Sequence, residues 1–142
     1  KVMKAQPDVR YLFKEWPIFG GRWEASLQAA QQGLTVWQKK GPQAYVTYHN
    51  AIYATGHNEG KLTAEDIHGA ASKAGLTTPA PGDHTASLEK NSNLAEALGL
   101  TGTPGIIVMP VSGATPDTIT VFPEAVTAEK LQAAIRKATR VK

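Results

Sequence analysis

The 142-residue chain contains no cysteine. That absence excludes a disulfide framework, a thiolate zinc site, an iron–sulfur cluster and a thiol nucleophile within these residues. Long apolar runs are missing too. The longest candidate, Gly105 to Met109, is the size of a strand and far short of the 18 or more residues that mark a spanning helix. Charge of one sign is scarce, because 15 Lys and Arg against 12 Asp and Glu leave a formal charge of +3. The basic residues are scattered except for Arg136, Lys137, Arg140 and Lys142, which read as the solvated end of a helix suited to its dipole, not as a nucleic-acid contact. What remains is ordinary for a folded chain: 42% hydrophobic and 19% charged residues, without repeats or low complexity. At this length roughly 68% of the unfolded surface is buried, enough for one core and one domain over residues 1–142.

Local pattern supplies the elements. Val9 to Trp16 is rich in β-branched and aromatic residues and stops at Pro17, which predicts a strand followed by a turn over Pro17 to Gly21. From Arg22 to Lys39, Trp23, Leu27, Ala30, Leu34 and Trp37 recur at helical steps despite Gly33. After the Gly41-Pro42 break, Ala44, Tyr45, Tyr48, Ile52 and Tyr53 form a second apolar stripe that ends near Gly56. Thr63 with Asp66 three residues later has the capping-box spacing and opens a third helix that stops at Gly75. Thr77 to His84 reads as a loop, and Thr85 to Leu98 as a helix terminated by Gly99. Two strands follow, Gly105 to Met109 and Asp117 to Phe122, joined through Pro110 to Pro116. A last helix starts at Thr127 and runs through Leu131, Ala134 and Ile135. The order is strand, helices, strand, strand, helix. A hairpin pair cannot supply a parallel crossover, so the Val9 strand is expected to join Gly105 to Met109 in parallel through the helical stretch, giving an α/β arrangement with helices over a small mixed sheet.

Several chemistries lack local support. His49, His57, His68 and His84 show no metal-ligand spacing, and Ser26, Ser72, Ser87, Ser92 and Ser112 stand in no nucleophile-elbow frame. Gly20-Gly21 is followed by no Lys-Ser/Thr pair and is no phosphate loop. Trp16, Trp23, Trp37 and the tyrosines read as core. Lys14 and Glu15 are adjacent at a strand end and point to opposite faces. The inward one either needs a buried partner or lies at the wet end of the strand.

Two segments carry a resemblance. Val9-Arg-Tyr-Leu-Phe-Lys-Glu-Trp-Pro-Ile-Phe-Gly20 and Asn93-Leu-Ala-Glu-Ala-Leu-Gly-Leu-Thr-Gly-Thr-Pro-Gly105, in this element order, resemble the thioredoxin-fold thiol–disulfide oxidoreductases of the Dsb group, DsbA-like and DsbC-like. The resemblance implies a thioredoxin-like fold with an inserted helical subdomain over residues 22–99. It also implies a periplasmic location and a cis proline at Pro104, which with Gly102 and Thr103 would form the substrate-binding loop beside the redox pair. Family members carry Cys-x-x-Cys at the start of a first helix, and Lys1 to Gln6 matches the end of that helix. No catalytic residue therefore falls in this chain, and the redox cysteines are expected upstream of Lys1. No cofactor or metal is implied. The implied partners are unfolded or misoxidised proteins, a membrane redox partner, and a second copy through an N-terminal domain absent from these residues; nucleic acid is not among them. In the family a charged pair beneath the redox site helps proton traffic, the role that Lys14 and Glu15 would inherit. The alternative is a redox-inactive peptide-binding or scaffold domain of the same fold.

Overall fold

The computed structural model describes residues 2–18, 20–57, 60–77 and 82–139. The centre of the loop expected over Thr77 to His84, residue 19 of the Pro17 turn, and Arg140 and Lys142 of the basic tail lie outside the described residues. Among the described residues the chain forms α1 (Val2–Ala5), α2 (Glu24–Lys40), α3 (Pro42–Ala54), α4 (Ala64–Lys73), α5 (Thr85–Ala97), β1 (Ile106–Val108), β2 (Thr120–Phe122) and α6 (Ala128–Thr139). They fall into two compact units, Glu15–Asn91 and the flanking Lys1–Lys14 with Ser92–Lys142.

The Glu15–Asn91 unit is helical. Its core gathers Ala29, Val36, Tyr48, Ile52, Ile67, Ala70, Ala71 and Leu76, drawn from α2, α3, α4 and, for Leu76, the third residue beyond α4. The face that α2 buries is not the stripe the aromatic residues suggest. Ala29, Ala30, Gln32, Gly33, Thr35 and Val36 are inside, whereas Trp37 is 55% exposed and Leu27 36%. α3 approaches this face closely at Gly33, where a Cβ would sit 3.1 Å from the Tyr48 ring and 3.4 Å from that of Tyr45. The Tyr48 hydroxyl then reaches the Ala29 carbonyl at 2.7 Å, so the ring is buried with its polar end satisfied. The capping box of α4 is complete, Thr63 Oγ1 accepting from the Asp66 amide at 3.1 Å while the Asp66 carboxylate accepts from the Thr63 amide at 3.1 Å. At the other end Gly75 N–H bonds the Ser72 carbonyl and Leu76 N–H the Ala71 carbonyl, a Schellman motif with Gly75 at φ 88°.

In the flanking unit β1 and β2 pair antiparallel with Ile107 opposite Val121. α6 packs on β1 and α1 on α6, with Ala134, Ile135 and Ala138 buried. α6 opens with Thr127 Oγ1 accepting from the Lys130 amide at 3.3 Å and ends on Arg136 and Lys137, charges that suit its dipole. The expected Val9 to Trp16 strand is not formed. This stretch joins no ladder, and the sheet among the described residues has two strands, so the expected parallel pairing with Gly105 to Met109 is absent. Strand propensity reports how well side chains fit a pleated, half-buried surface; here Leu12 is 68% exposed and no neighbouring strand supplies that surface. Asp117 to Phe122 is a strand only in its second half, because residues 116–118 turn, with Thr118 N–H on the Thr115 carbonyl at 2.9 Å.

Candidate functional site

The loop from Thr101 to Gly105 is set by what ends α5 and what begins β1. Gly99, at φ 71°, donates its N–H to Glu96, and Leu100 N–H bonds the Ala95 carbonyl at 2.9 Å, so the helix closes on a second Schellman motif. Leu100 then turns inward against Gly105: a Cβ on Gly105 would lie 2.6 Å from Leu100 Cδ1. Between them the Thr103–Pro104 peptide is cis. Thr103 and Pro104 are exposed, while Gly102 is partly covered and has open space where a Cβ would stand. Of the two glycines, only Gly105 is therefore held by a close approach. The three residues named from the sequence, Gly102, Thr103 and Pro104, form one short bend, exposed at Thr103 and Pro104, that leads through Gly105 into β1.

The second feature belongs to the helical unit. Lys14 is exposed, whereas the neighbouring Glu15 sends its carboxyl inward even though part of the residue reaches solvent. The Tyr45 hydroxyl donates to Glu15 Oε1, and that oxygen would stand 3.2 Å from a Cβ on Gly33. Asn91 Nδ2 of α5 donates to the Glu15 carbonyl at 2.9 Å. Burial pushes the Glu15 carboxyl above the usual carboxylate range, and the Tyr45 hydrogen bond offsets only part of the rise. The same burial, with the Glu15 charge nearby, raises Tyr45 and Tyr48. Of a buried partner and a wet strand end, the structure supplies the partner, the Tyr45 hydroxyl of α3, among helices. The available signal was Gly33, a residue unfavourable in a helix interior, one α-helix ahead of two closely spaced tyrosines.

The histidines are dispersed. His49 packs against the rings of Tyr45 and Tyr53, with centroids at 6.1 and 4.8 Å, and burial lowers its pKa. His57 Nδ1 meets Asp66 Oδ2 at 2.9 Å. His68 is exposed. His84 Nε2 lies 2.9 Å from Thr35 Oγ1, which also accepts from the Gly82 amide at 2.9 Å, while the His84 amide donates to Gln31 Oε1. Those bonds fasten residues 82–84 along α2. A groove lined by Glu24, Leu27, Gln28, Gln31, Gly82 and Asp83 lies beside them. Among the described residues no three His, Asp or Glu gather as a metal site, and no helix is long and apolar enough to cross a membrane.

No protein-family model matches the chain, and no curated protein matches it. Solved structures do, among them two. The crystal structure of Salmonella enterica Typhimurium BcfH is similar with a TM-score of 0.79 and 38% identity, over 96% of this chain and 60% of that one. The crystal structure of Proteus mirabilis ScsC in a transitional conformation is similar with a TM-score of 0.75 and 23% identity, over 99% of this chain and 57% of that one. The chain thus spans less than two thirds of either protein. ScsC is a DsbA-like thioredoxin-fold protein, and the fold here, mixed helical with a small two-stranded sheet, is similar to that of thioredoxin-like Dsb proteins.

Proposed function

We propose that this chain is part of a periplasmic thiol–disulfide oxidoreductase or isomerase acting on protein disulfides, with its redox cysteines supplied by sequence outside these 142 residues. The observation that carries the reading is the 38% identity to BcfH over 96% of a chain that spans only 60% of that protein. In this reading residues 22–99 are a helical insertion, and Gly102, Thr103 and Pro104 receive an extended substrate segment beside the thiols. The first cysteine thiolate attacks a substrate disulfide, forming one S–S bond as another breaks, and the departing substrate thiolate takes up a proton. The second cysteine then attacks the mixed disulfide and releases the substrate reduced, and the reverse sequence oxidises it. Misoxidised proteins are the substrates, a membrane redox protein the recycling partner, and dimerisation belongs to a domain outside this chain. No cofactor takes part.

A second reading, a peptide-binding domain without redox chemistry, is favoured by the absence of cysteine from the chain together with the exposure of Thr103 and Pro104. Insulin reduction and refolding of a scrambled-disulfide substrate separate the two. The natural full-length protein is expected to be active and the 142-residue chain inactive. Inactivity of a full-length protein with a verified cysteine pair, alongside retained peptide binding, would establish the second reading.

A further inference from the structure

The backbone enters the helical unit at Glu15 and leaves it at Asn91. These two residues are fastened to each other, Asn91 Nδ2 donating to the Glu15 carbonyl at 2.9 Å. The Glu15 side chain is fastened the other way, into the unit, where it accepts from the Tyr45 hydroxyl and lies against the Gly33 backbone. One residue therefore ties α2, α3 and α5 together where the chain crosses in and out. We propose that Glu15 is the pin of a proton-dependent clasp that closes the helical unit at its two chain crossings, shut when the carboxyl is protonated and loosened when it ionises.

The surroundings set the direction. Among the described residues, the ionisable groups that couple to the carboxyl are the phenols of Tyr45, Tyr48 and Tyr53, all from α3. α2 presents Gly33, and α5 presents the neutral amide of Asn91. His49, beside Tyr45 and Tyr53, is itself driven toward its neutral form by burial. An ionised carboxylate in this setting gains one phenol hydrogen bond and loses its hydration, a poor exchange for a buried charge. Because the folded state holds the proton more tightly than the unfolded chain, the stabilisation is complete below the ordinary carboxylate pKa. It is lost as pH rises through the raised folded value.

The test is amide hydrogen exchange, corrected for its intrinsic pH dependence, on the chain and on Glu15→Gln, Tyr45→Phe and Asn91→Ala. Protection of Glu15–Ile18 and of Leu88–Asn91 is compared with that of the core segment Ile67–Ala71 between pH 4 and 8. In the wild type, protection at the crossings is expected to fall with rising pH by about tenfold for each pH unit of elevation of the carboxyl pKa, while the core segment changes less. Glu15→Gln should be flat over the same range, and Asn91→Ala should lower protection at the crossings already at pH 4. Tyr45→Phe removes the hydrogen bond that favours the carboxylate and should move the midpoint to higher pH; this holds the test open if Glu15→Gln does not fold. Identical profiles for wild type and Glu15→Gln, an unmoved midpoint in Tyr45→Phe, or core protection falling in step with the crossings would each overturn the clasp.

Discussion

Leu100 and Gly105 meet so closely that a β-carbon on Gly105 would lie 2.6 Å from Leu100 Cδ1 and 3.1 Å from Cδ2. That contact joins the end of α5 to the start of β1 and fixes the span of the turn carrying Thr103 and Pro104. Gly105→Ala must displace either the tip of the leucine side chain or the turn, and is expected to cost about 1 kcal/mol. Gly102→Ala meets open space and is expected to stay within about 0.5 kcal/mol of the wild type. Urea unfolding of the two variants checks the contrast; equal losses would mean that the close approach does not set the turn.

A second pair of glycines tests the helical unit. Gly33 and Gly69 both sit inside helices, where alanine is intrinsically better by about 0.5–1 kcal/mol. Gly69 has nothing within 4 Å of a Cβ, so Gly69→Ala is expected to stabilise by that amount. Gly33→Ala would press on the Tyr48 ring at 3.1 Å and on Glu15 Oε1 at 3.2 Å, and should destabilise instead. Thermal unfolding that moves both variants in the same direction would show that α2 and α3 can separate freely.

Much of this was legible in the residues, and the failures have physical causes. Caps and terminators are local, so Thr63 with Asp66, Gly75 and Gly99 marked helix ends that the hydrogen bonds bear out. The hairpin strand Gly105 to Met109 was found for the same reason, as a short apolar run between turn formers; its paired core is Ile106–Val108. Faces are not local. Trp37 and Leu27 point to one side of α2 by hydrophobicity, yet the side that packs carries Ala29, Gly33 and Val36 with the polar Gln32 and Thr35, because packing rewards how near two backbones come as well as how apolar each residue is. Val9 to Trp16 failed as a strand because a ladder needs a second chain segment that no property of the first can specify. The Gly102, Thr103 and Pro104 turn was located by resemblance; periodicity alone marks it only as a connection between a helix and a strand.

The α4 cap predicts an acid-side dependence opposite in sign to that of Glu15. The Asp66 carboxyl is held below its usual range, first by the hydrogen bond from His57 and then by the Thr63 amide. Its stabilising contribution is therefore present above the ordinary aspartate pKa and lost as pH falls through the lowered folded value. Asp66→Asn should be less stable than wild type at pH 7, with the difference vanishing at low pH. Thr63→Ala, which removes the hydroxyl acceptor, should cost about 0.5–2 kcal/mol at both extremes. Chemical denaturation across pH checks both, and a pH-independent deficit in Asp66→Asn would rule out ionisation as the source.

Thr103→Val tests the proposed redox role at the turn itself. The two side chains share shape and β-branching, and Thr103 is exposed, so stability is expected to change by no more than about 0.5 kcal/mol. What the substitution removes is a hydroxyl donor immediately ahead of Pro104. On the proposed reading, a thiolate brought against that hydroxyl would be stabilised by its hydrogen bond, and a methyl in the same place would offer none. The variant's attacking thiol should therefore have a higher pKa, seen as alkylation by iodoacetamide that rises at higher pH than in the wild type. Loss of that donor should also shift the balance between oxidised and reduced forms toward the disulfide, because the reduced thiolate is the state it favours. Thr103→Ser keeps the donor and should restore the wild-type alkylation profile. Superimposable profiles for wild type and Thr103→Val, in a protein that reduces insulin, would place the reacting sulfur away from this turn.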